Sequence, residues 1–477
     1  MLHVHKLKKK RVLLLVLILI ILISTVIYQS YKPLPNNISY EGDVHKVEEV
    51  TFLYDLTYKK DRRVKADQMI FDAIFKAIDD AEDFIVIDLF LFNGYYDKGE
   101  TYPKISEKLT KKLLKKKKEN PEMAIVFITD EINTSYGSHP SKELEAFKEA
   151  GINVIMSDLN ALRDSNPLYS SVWRTFIQWF GQSGPGWLSN PFGETAPDIN
   201  VRSYFKLFNV KANHRKAIAT EKTTIVSSAN PHDASGYHSN TAFQVSGNII
   251  GDVLESEQAI SDYSRGPKLP EYKKTEKEKG NIEVQLLTEG KIHKRLLEAI
   301  NASEKDDTIW LGMFYLAERK VIESLISASN RGVEIKMILD PNQNAFGQEK
   351  IGLPNRPVAE ELLEDSKNKI EIRWYNTTKE QYHPKIIFIK GKEKSTIISG
   401  SANFTQRNLD DLNLENDIKI AAPANEKVMK DVEGYFNRLW TNEDADFTLD
   451  FEEYRDDMPF FKRSIYAVQK LFRFTTY

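Results

Sequence analysis

Two stretches of this chain place a histidine and a lysine two residues apart, and each is followed by a Ser-x-Asn. The first reads Asn213-His214-Arg215-Lys216 and, after an apolar run, ends in Ser228-Ala229-Asn230. The second reads Tyr382-His383-Pro384-Lys385 and ends in Ser401-Ala402-Asn403. Imidazole is a nucleophile or general acid near neutral pH. Lysine offers a point positive charge to a phosphate oxygen. The Ser hydroxyl and Asn amide add hydrogen-bond donors. Together these groups neutralise charge on a phosphoryl group, which is the usual source of catalysis in phosphoryl transfer. Two histidines suggest a division of labour in which one attacks phosphorus and the other protonates the departing oxygen.

The elements around the motifs must bring them together. Residues i and i+2 of a strand share a face, so each His-x-Lys and each Ser-x-Asn presents one side. Folding each copy as an antiparallel hairpin gives a register. A three-residue loop at 221–223 sets His214 opposite Asn230 and Lys216 opposite Ser228. A three-residue loop at 392–394 sets His383 opposite Asn403 and Lys385 opposite Ser401. A loop one residue shorter is expected to put His and Asn on opposite faces.

The rest of the chain repeats as well. Ahead of the first motif come helical spacing over 66–81, a strand at 84–92, a basic helix at 106–118, a buried strand at 124–130, a helix near 142–150 and a strand at 153–156. Ahead of the second come a helix at 293–302, a strand at 308–315, a helix at 319–330, a strand at 334–340, a helix near 358–365 and a strand at 370–374. Helices alternating with nearly continuous apolar strands describe an α/β sheet covered on both faces.

The doubled motif resembles the His-x-Lys signature of the phospholipase D superfamily, and within it the cardiolipin synthase-like phosphatidyltransferases. The resemblance covers nearly everything beyond residue 45. It implies a duplicated α/β/α sandwich with pseudo-twofold symmetry and a metal-independent mechanism through a covalent phosphohistidine. It implies His214 and His383 as the catalytic pair together with Lys216 and Lys385, with Asn230, Asn403, Ser228 and Ser401 around the phosphate. By the family habit, His214 is the nucleophile and His383 the acid and base. A family carboxylate matches Glu415 in Leu414-Glu415-Asn416-Asp417, where it would orient a histidine; in the first copy the corresponding place falls on Ser239 of Ser239-Asn240-Thr241. The family aspartate after each His-x-Lys is replaced by Glu221 and Lys390, positions the hairpins put near their turns, so the loss bears on structure more than chemistry. No cofactor is implied. Asp130 and Asp340, at the ends of equivalent strands, read as fold-stabilising. His232 and His238, just after the first motif, are placed to touch substrate, but a lone histidine near a loop is more often structural, and His139 and His293 have no matching partner.

The domain reading is a basic N-terminus and anchor at 1–30, a first half at 45–266, a solvent-exposed charged linker at 267–280, a second half at 281–441 and a tail at 442–477. At 477 residues the chain suits about two to three domains. A net charge of -3 gives no support to a general nucleic-acid binder. With no cysteine, disulfides and Cys-ligated metals are excluded.

The basic cluster from Lys6 to Arg11 precedes an apolar run from Val12 to Ile27 without a convincing cleavage site. This predicts an uncleaved single-pass anchor in the cell membrane, with the catalytic body outside the cytoplasm. An insertion before His214 carries Trp173, Phe176, Trp179, Phe180, Trp187 and Phe192 among glycines and prolines. It reads as a lid over the sheet edge or a surface that meets lipid. The aromatic and basic stretch 460–474 packs on the body or lies on the membrane.

The leading expectation is a membrane-anchored enzyme that transfers or hydrolyses phospholipid phosphodiesters. Phospholipid and membrane are its partners, and nucleic acid is not expected among them. The alternatives are an exported nuclease using the same histidines and a non-catalytic homologue that binds phosphoanions.

Overall fold

The computed structural model describes residues 2–99, 101–275, 277–345, 348–349, 351–455, 464–465 and 467–468. Most of the 460–474 stretch therefore lies outside the described residues.

Two large mixed sheets organise the chain. In the first, seven strands run in the order Val50–Lys60, Asn240–Val245, Thr224–Ser227, Lys216–Thr220, Phe84–Leu89, Ala124–Thr129 and Asn153–Met156, with Arg63–Gln68 at the near edge. The second repeats that order with Ile282–Thr288, Asn416–Pro423, Lys394–Gly400, Lys385–Lys390, Thr308–Met313, Glu334–Leu339 and Ile370–Tyr375. The repeat is therefore a real duplication of topology. His45–Val47 crosses to pair with Ile282–Val284, and Thr448–Asp450 closes the far edge of the second sheet, so chain ends flank both sides of it.

Each sheet is apolar on both faces because both are covered. Outer helices bury Ile74, Leu109 and Phe147 against the first sheet and Leu296, Leu325 and Leu362 against the second. The inner faces share one core, in which Phe52 and Phe243 of the first repeat meet Trp310, Tyr435 and Phe436 of the second. Each such fully buried side chain contributes about 1.5–3 kcal/mol of hydrophobic stabilisation. The helices Ile249–Tyr263 and Lys427–Thr441 lie in this layer. The result is a duplicated α/β/α sandwich.

Both hairpin registers differ from the expected ones by one residue. Ala217 pairs with Val226 and Ile386 with Ser399, which leaves two-residue turns at 221–222 and 392–393. Two-residue loops match the twist of paired strands, and Thr220 Oγ1 holds the first one by accepting from the Lys222 and Thr223 amides. The face argument fails because the motif residues other than Lys216 and Lys385 lie outside the strands. The strands start at Lys216 and Lys385 and stop at Ser227 and Gly400, so the histidines and asparagines sit on irregular chain where alternation no longer applies. Glu221 accepts hydrogen bonds from the amides of Glu82, Asp83 and Phe84, a role in the turn. Lys390 pairs with Glu433 at 2.5 Å.

The 267–280 segment is mostly exposed but tied down. Leu269 is buried, and Glu278 lies 2.6 Å from His45. The N-terminal helix Leu2–Tyr31 contains a stretch, Lys8–Tyr31, that is long and apolar enough to cross a membrane.

Candidate active site

Each histidine is fastened by the other repeat. The His214 amide donates to Leu414 O at 2.9 Å, and the His383 amide donates to Ser239 O at 2.8 Å. These are parallel bridges, Asn213 with Leu414 and Ser239 with Tyr382. The pseudo-twofold therefore makes Leu414 and Ser239 equivalent, and the next residues, Glu415 and Asn240, are the matched pair. Glu415 Oε2 lies 3.0 Å from His214 Nδ1 and also accepts from Ser401 Oγ. Asn240 Oδ1 lies 3.0 Å from His383 Nδ1 and accepts from Ser228 Oγ at 2.9 Å. The sequence assignment of Ser239 to the carboxylate position is thus one residue off.

This pair breaks the symmetry. Asn240 is oriented by its own Nδ2, which donates to His238 O at 3.0 Å, so its oxygen faces His383. A neutral carbonyl oxygen there requires the proton on His383 Nδ1. His214 has a carboxylate instead, which stabilises positive charge on the ring.

The lysines repeat one geometry. Lys216 Nζ donates to His214 O at 2.6 Å and lies 5.2 Å from the Phe90 ring centre. Lys385 Nζ donates to His383 O at 2.7 Å and lies 5.2 Å from the Phe314 ring centre. The same two phenylalanines stand 4.9 Å from His214 and His383. Phe90 and Phe314 directly follow equivalent strands, and nothing in their type marks them in the sequence.

Burial dominates the electrostatics. It holds both imidazoles well below the usual histidine range, helped at His214 by the charges of Lys216 and Lys385, and at His383 by Lys385, His238 and Lys216. Burial also brings Lys216 down to about 7, against the pull of Glu415, and pushes Glu415 up to about 7, against Lys216. Each lysine lowers the affinity of both histidines for protons, so the four groups occupy one field. Any anion placed among these groups would reverse that balance and favour the protonated forms.

Asn230 and Asn403 sit equivalently, each 7% exposed with an Oδ1 that lacks a hydrogen-bond partner. Unpaired buried polar atoms on a symmetric pair are consistent with a polar ligand between them. Asp130 and Asp340 spend their carboxylates on backbone. Each accepts at 2.7 Å from the amide of the residue before a motif histidine, Asn213 or Tyr382, and each also accepts from an amide two residues on.

His238, set aside on sequence, lies 6.0 Å from His383, ring centre to ring centre. Its Nδ1 accepts from the Gln381 amide at 3.2 Å, as Asn413 Oδ1 accepts from the Ala212 amide at 3.1 Å. Its proton is therefore on Nε2, and burial, with His232 and Lys385, lowers the ring to about 3. His232 bonds Ser235 and the Tyr95 carbonyl, a structural placement. His139 bonds Ser135, and His293 lies near Asp410 and Glu318, away from the motifs.

One substitution tests how closely the repeats compensate. Gly312 stands where the first repeat has Asp88, and the space takes the Tyr382 ring; a Cβ on Gly312 would lie 2.7 Å from the Tyr382 hydroxyl. Gly312→Val is expected to lower stability by about 1–3 kcal/mol, through overpacking beside His383. Thermal unfolding of the purified protein in detergent measures this.

Residues 296–440 match the family described as cardiolipin synthase, PLD-like domain. No curated protein sequence matches the chain significantly. Among solved structures, phosphatidylserine synthase from Haemophilus influenzae Rd KW20 aligns with a TM-score of 0.59 at 11% identity, covering 91% of this chain and 97% of that one. Polyphosphate kinase from Porphyromonas gingivalis aligns with a TM-score of 0.43 at 13% identity, over 89% of this chain and 53% of that one. Nuc, a phospholipase D family member from Salmonella typhimurium, aligns with a TM-score of 0.26 at 18% identity, over 35% and 97%. The first of these shares the fold over almost the full length of both chains. Residues 296–440 therefore carry a PLD-like domain match in the second repeat, and the strand order of that repeat recurs in the first, within a fold shared with the phosphatidylserine synthase.

Proposed function

We propose that this protein is a membrane-anchored phosphodiester transferase or hydrolase acting on phospholipids through a covalent phosphohistidine. The observation that carries the proposal is the reciprocal clasp, in which each histidine is held at Nδ1 by a residue of the other repeat, Glu415 for His214 and Asn240 for His383. With Nδ1 occupied, each ring is left its Nε2 for chemistry.

In the first step, the His214 Nε2 lone pair attacks phosphorus. The P–N bond forms, the P–O bond to the departing alcohol breaks, and His383, protonated in the presence of the substrate anion, gives its Nε2 proton to that oxygen. Glu415 balances the positive charge that develops on the phosphorylated ring. Lys216, Lys385, Asn230 and Asn403 bind the non-bridging oxygens. In the second step, neutral His383 takes a proton from an incoming alcohol or water, whose oxygen displaces His214 from phosphorus. The N-terminal span tethers the body at a bilayer, where a lipid substrate is concentrated, and its basic flank places that body outside the cytoplasm.

The direct test incubates full-length protein in detergent with phosphatidylglycerol, and separately with single-stranded DNA, alongside His214→Ala and His383→Ala. Lipid turnover that disappears in both variants is the expected result. Cleavage of DNA without lipid turnover contradicts the lipid assignment, and no turnover of either contradicts the catalytic one.

Asn240→Asp gives a signed prediction. The side chain keeps its shape and gains a negative charge beside His383. An adjacent opposite charge raises the imidazole pKa by roughly 1–3 units. His383 must be protonated for the first step, so activity falls as pH rises through its pKa. The alkaline limb of the kcat/KM profile is expected to move to higher pH in Asn240→Asp. Glu415→Gln should instead lower kcat by roughly 10–100-fold, from loss of a charged hydrogen bond worth about 1.5–3 kcal/mol.

A further inference from the structure

We propose that the segment 167–180 is a second membrane element, seated in the headgroup and upper acyl region of the bilayer that the N-terminal helix crosses. The inference rests on the anchor reading above and adds a surface and its occupant.

The segment continues as one helical rod, from the helix Pro167–Val172 through a wider turn at Trp173–Ile177 to a tighter one at Gln178–Phe180. Its inner side is held by the protein. Ser170 and Ser171 are buried, Trp173 is 3% exposed, and Arg174 pairs with buried Asp164 at 2.7 Å. Its outer side is an apolar stripe in which Leu168, Val172, Phe176, Trp179 and Phe180 are exposed at intervals of about one helical turn. Trp179 is 74% exposed, yet its indole N–H already donates to Thr175 O at 3.1 Å, so water gains no hydrogen bond from that group. Aromatic side chains each offer about 150–250 Å² of surface, and contiguous apolar patches beyond a few hundred Å² mark interaction sites.

The occupant is set by what lies alongside. The helix Pro167–Val172 packs against the N-terminal helix. From Lys8 to Tyr31, the half-covered residues of that helix are Ile18, Leu22, Thr25, Val26, Gln29 and Ser30, one face of the C-terminal part of the apolar span. The junction is pinned just beyond by Asp164 N to Gln29 O at 3.1 Å and Arg163 Nε to Lys32 O at 3.0 Å. A lipid leaflet around the span therefore continues onto the stripe. The other end of the insertion reaches the site: Phe192 and Leu207 pack on the cluster of Phe90, Leu91, Ile132 and Tyr136, and Phe90 stands against His214. The surface thus holds the His214 side of the site at headgroup level.

The chain has no cysteine, which makes single labelling sites simple to introduce. Trp179→Cys, Leu15→Cys and Lys392→Cys are each labelled with an environment-sensitive fluorophore in full-length protein. The labelled proteins are then reconstituted into phosphatidylglycerol and phosphatidylcholine vesicles carrying nitroxide either near the headgroup or near the chain end. The expected result is loss of fluorescence at position 179, greatest with the shallow nitroxide, loss at 15 greatest with the deep one, and no loss at 392, which lies in an exposed hairpin turn. Quenching at 15 without quenching at 179 overturns the inference and leaves the anchor intact. No quenching at either overturns both. Equal quenching at 179 and 392 also overturns it, since the whole surface would then be adsorbing. In a parallel assay, a variant with Leu168, Phe176, Trp179 and Phe180 replaced by serine should lose turnover on vesicles while keeping it on short-chain lipid in detergent. Equal loss on both overturns the interfacial role.

Discussion

His214→Ala should lower phospholipid turnover by about 10⁴-fold or more while leaving the fold intact, because on the proposed mechanism it removes the attacking group. The side chain is 12% accessible and is not among the residues of the apolar cores, so its removal opens little core. His383→Ala should cost less, about 10²–10⁴-fold, since a general acid and base is lost while the attacking group stays. The double variant should be no slower than His214→Ala, because groups acting on one phosphorus as a unit are not additive. Initial rates on phosphatidylglycerol in detergent, with circular dichroism as a control for folding, measure all three. Losses that multiply in the double variant would mean the two histidines serve separate sites.

Arg215→Met should lower stability by about 3–5 kcal/mol, the expected cost of stripping one partner from a buried ion pair. Arg215 lies between the two motif residues and is fully buried. Its guanidinium lies 2.7 Å from Glu289 and 3.3 Å from Glu257, and it donates to Ser256 Oγ at 2.7 Å. The same Glu289 oxygen accepts from the Glu415 amide at 3.0 Å. Glu289 occupies a positive-φ conformation, +44°, which an L-residue holds only where its surroundings over-determine it. The network therefore links the His214 strand to the backbone of the carboxylate that orients His214. Loss of Arg215 leaves Glu289 and Glu257 as uncompensated buried acids and loosens Glu415. Denaturant unfolding in detergent measures the loss. Adding Glu289→Gln to Arg215→Met should recover part of it, because one fewer charge stays buried without a partner. A loss under about 1 kcal/mol, the range of exposed pairs, would show that the network carries little of the stability.

The duplication was legible because it is written in patterns that survive divergence. The two motifs repeat by residue type, and the buried strands around them read as apolar runs. What failed were inferences of register. The expected hairpin pairing extended strand alternation past Ser227 and Gly400, where the chain has left the sheet. The equation of Glu415 with Ser239 came from aligning Asn416 with Asn240, a shared residue type; backbone pairing instead matches Leu414 to Ser239, so Asn240 takes the carboxylate position. The spacing from the motif serine gives no guide, because the segment between Ser401 and Glu415 is longer than that between Ser228 and Asn240. His238 reads in sequence as a lone histidine near a loop, and its equivalent in the other repeat, Asn413, shares with it only an acceptor for a backbone amide. Arg215 faces Pro384 in the other copy, so no repeat pointed to it. Of the insertion aromatics, Trp173 turned out to be core while Phe176, Trp179, Phe180 and Trp187 are exposed, a split that composition alone does not contain.

The proposed mechanism requires a phosphorus atom bonded for a time to the imidazole of His214. Rapid acid-free quenching of the wild-type protein during turnover of phosphorus-labelled phosphatidylglycerol, followed by peptide mapping, looks for that bond directly. The expected result is a base-stable, acid-labile label on the peptide carrying His214, absent from His214→Ala. Steady turnover with no label on the protein, or with the label on the His383 peptide, would contradict it.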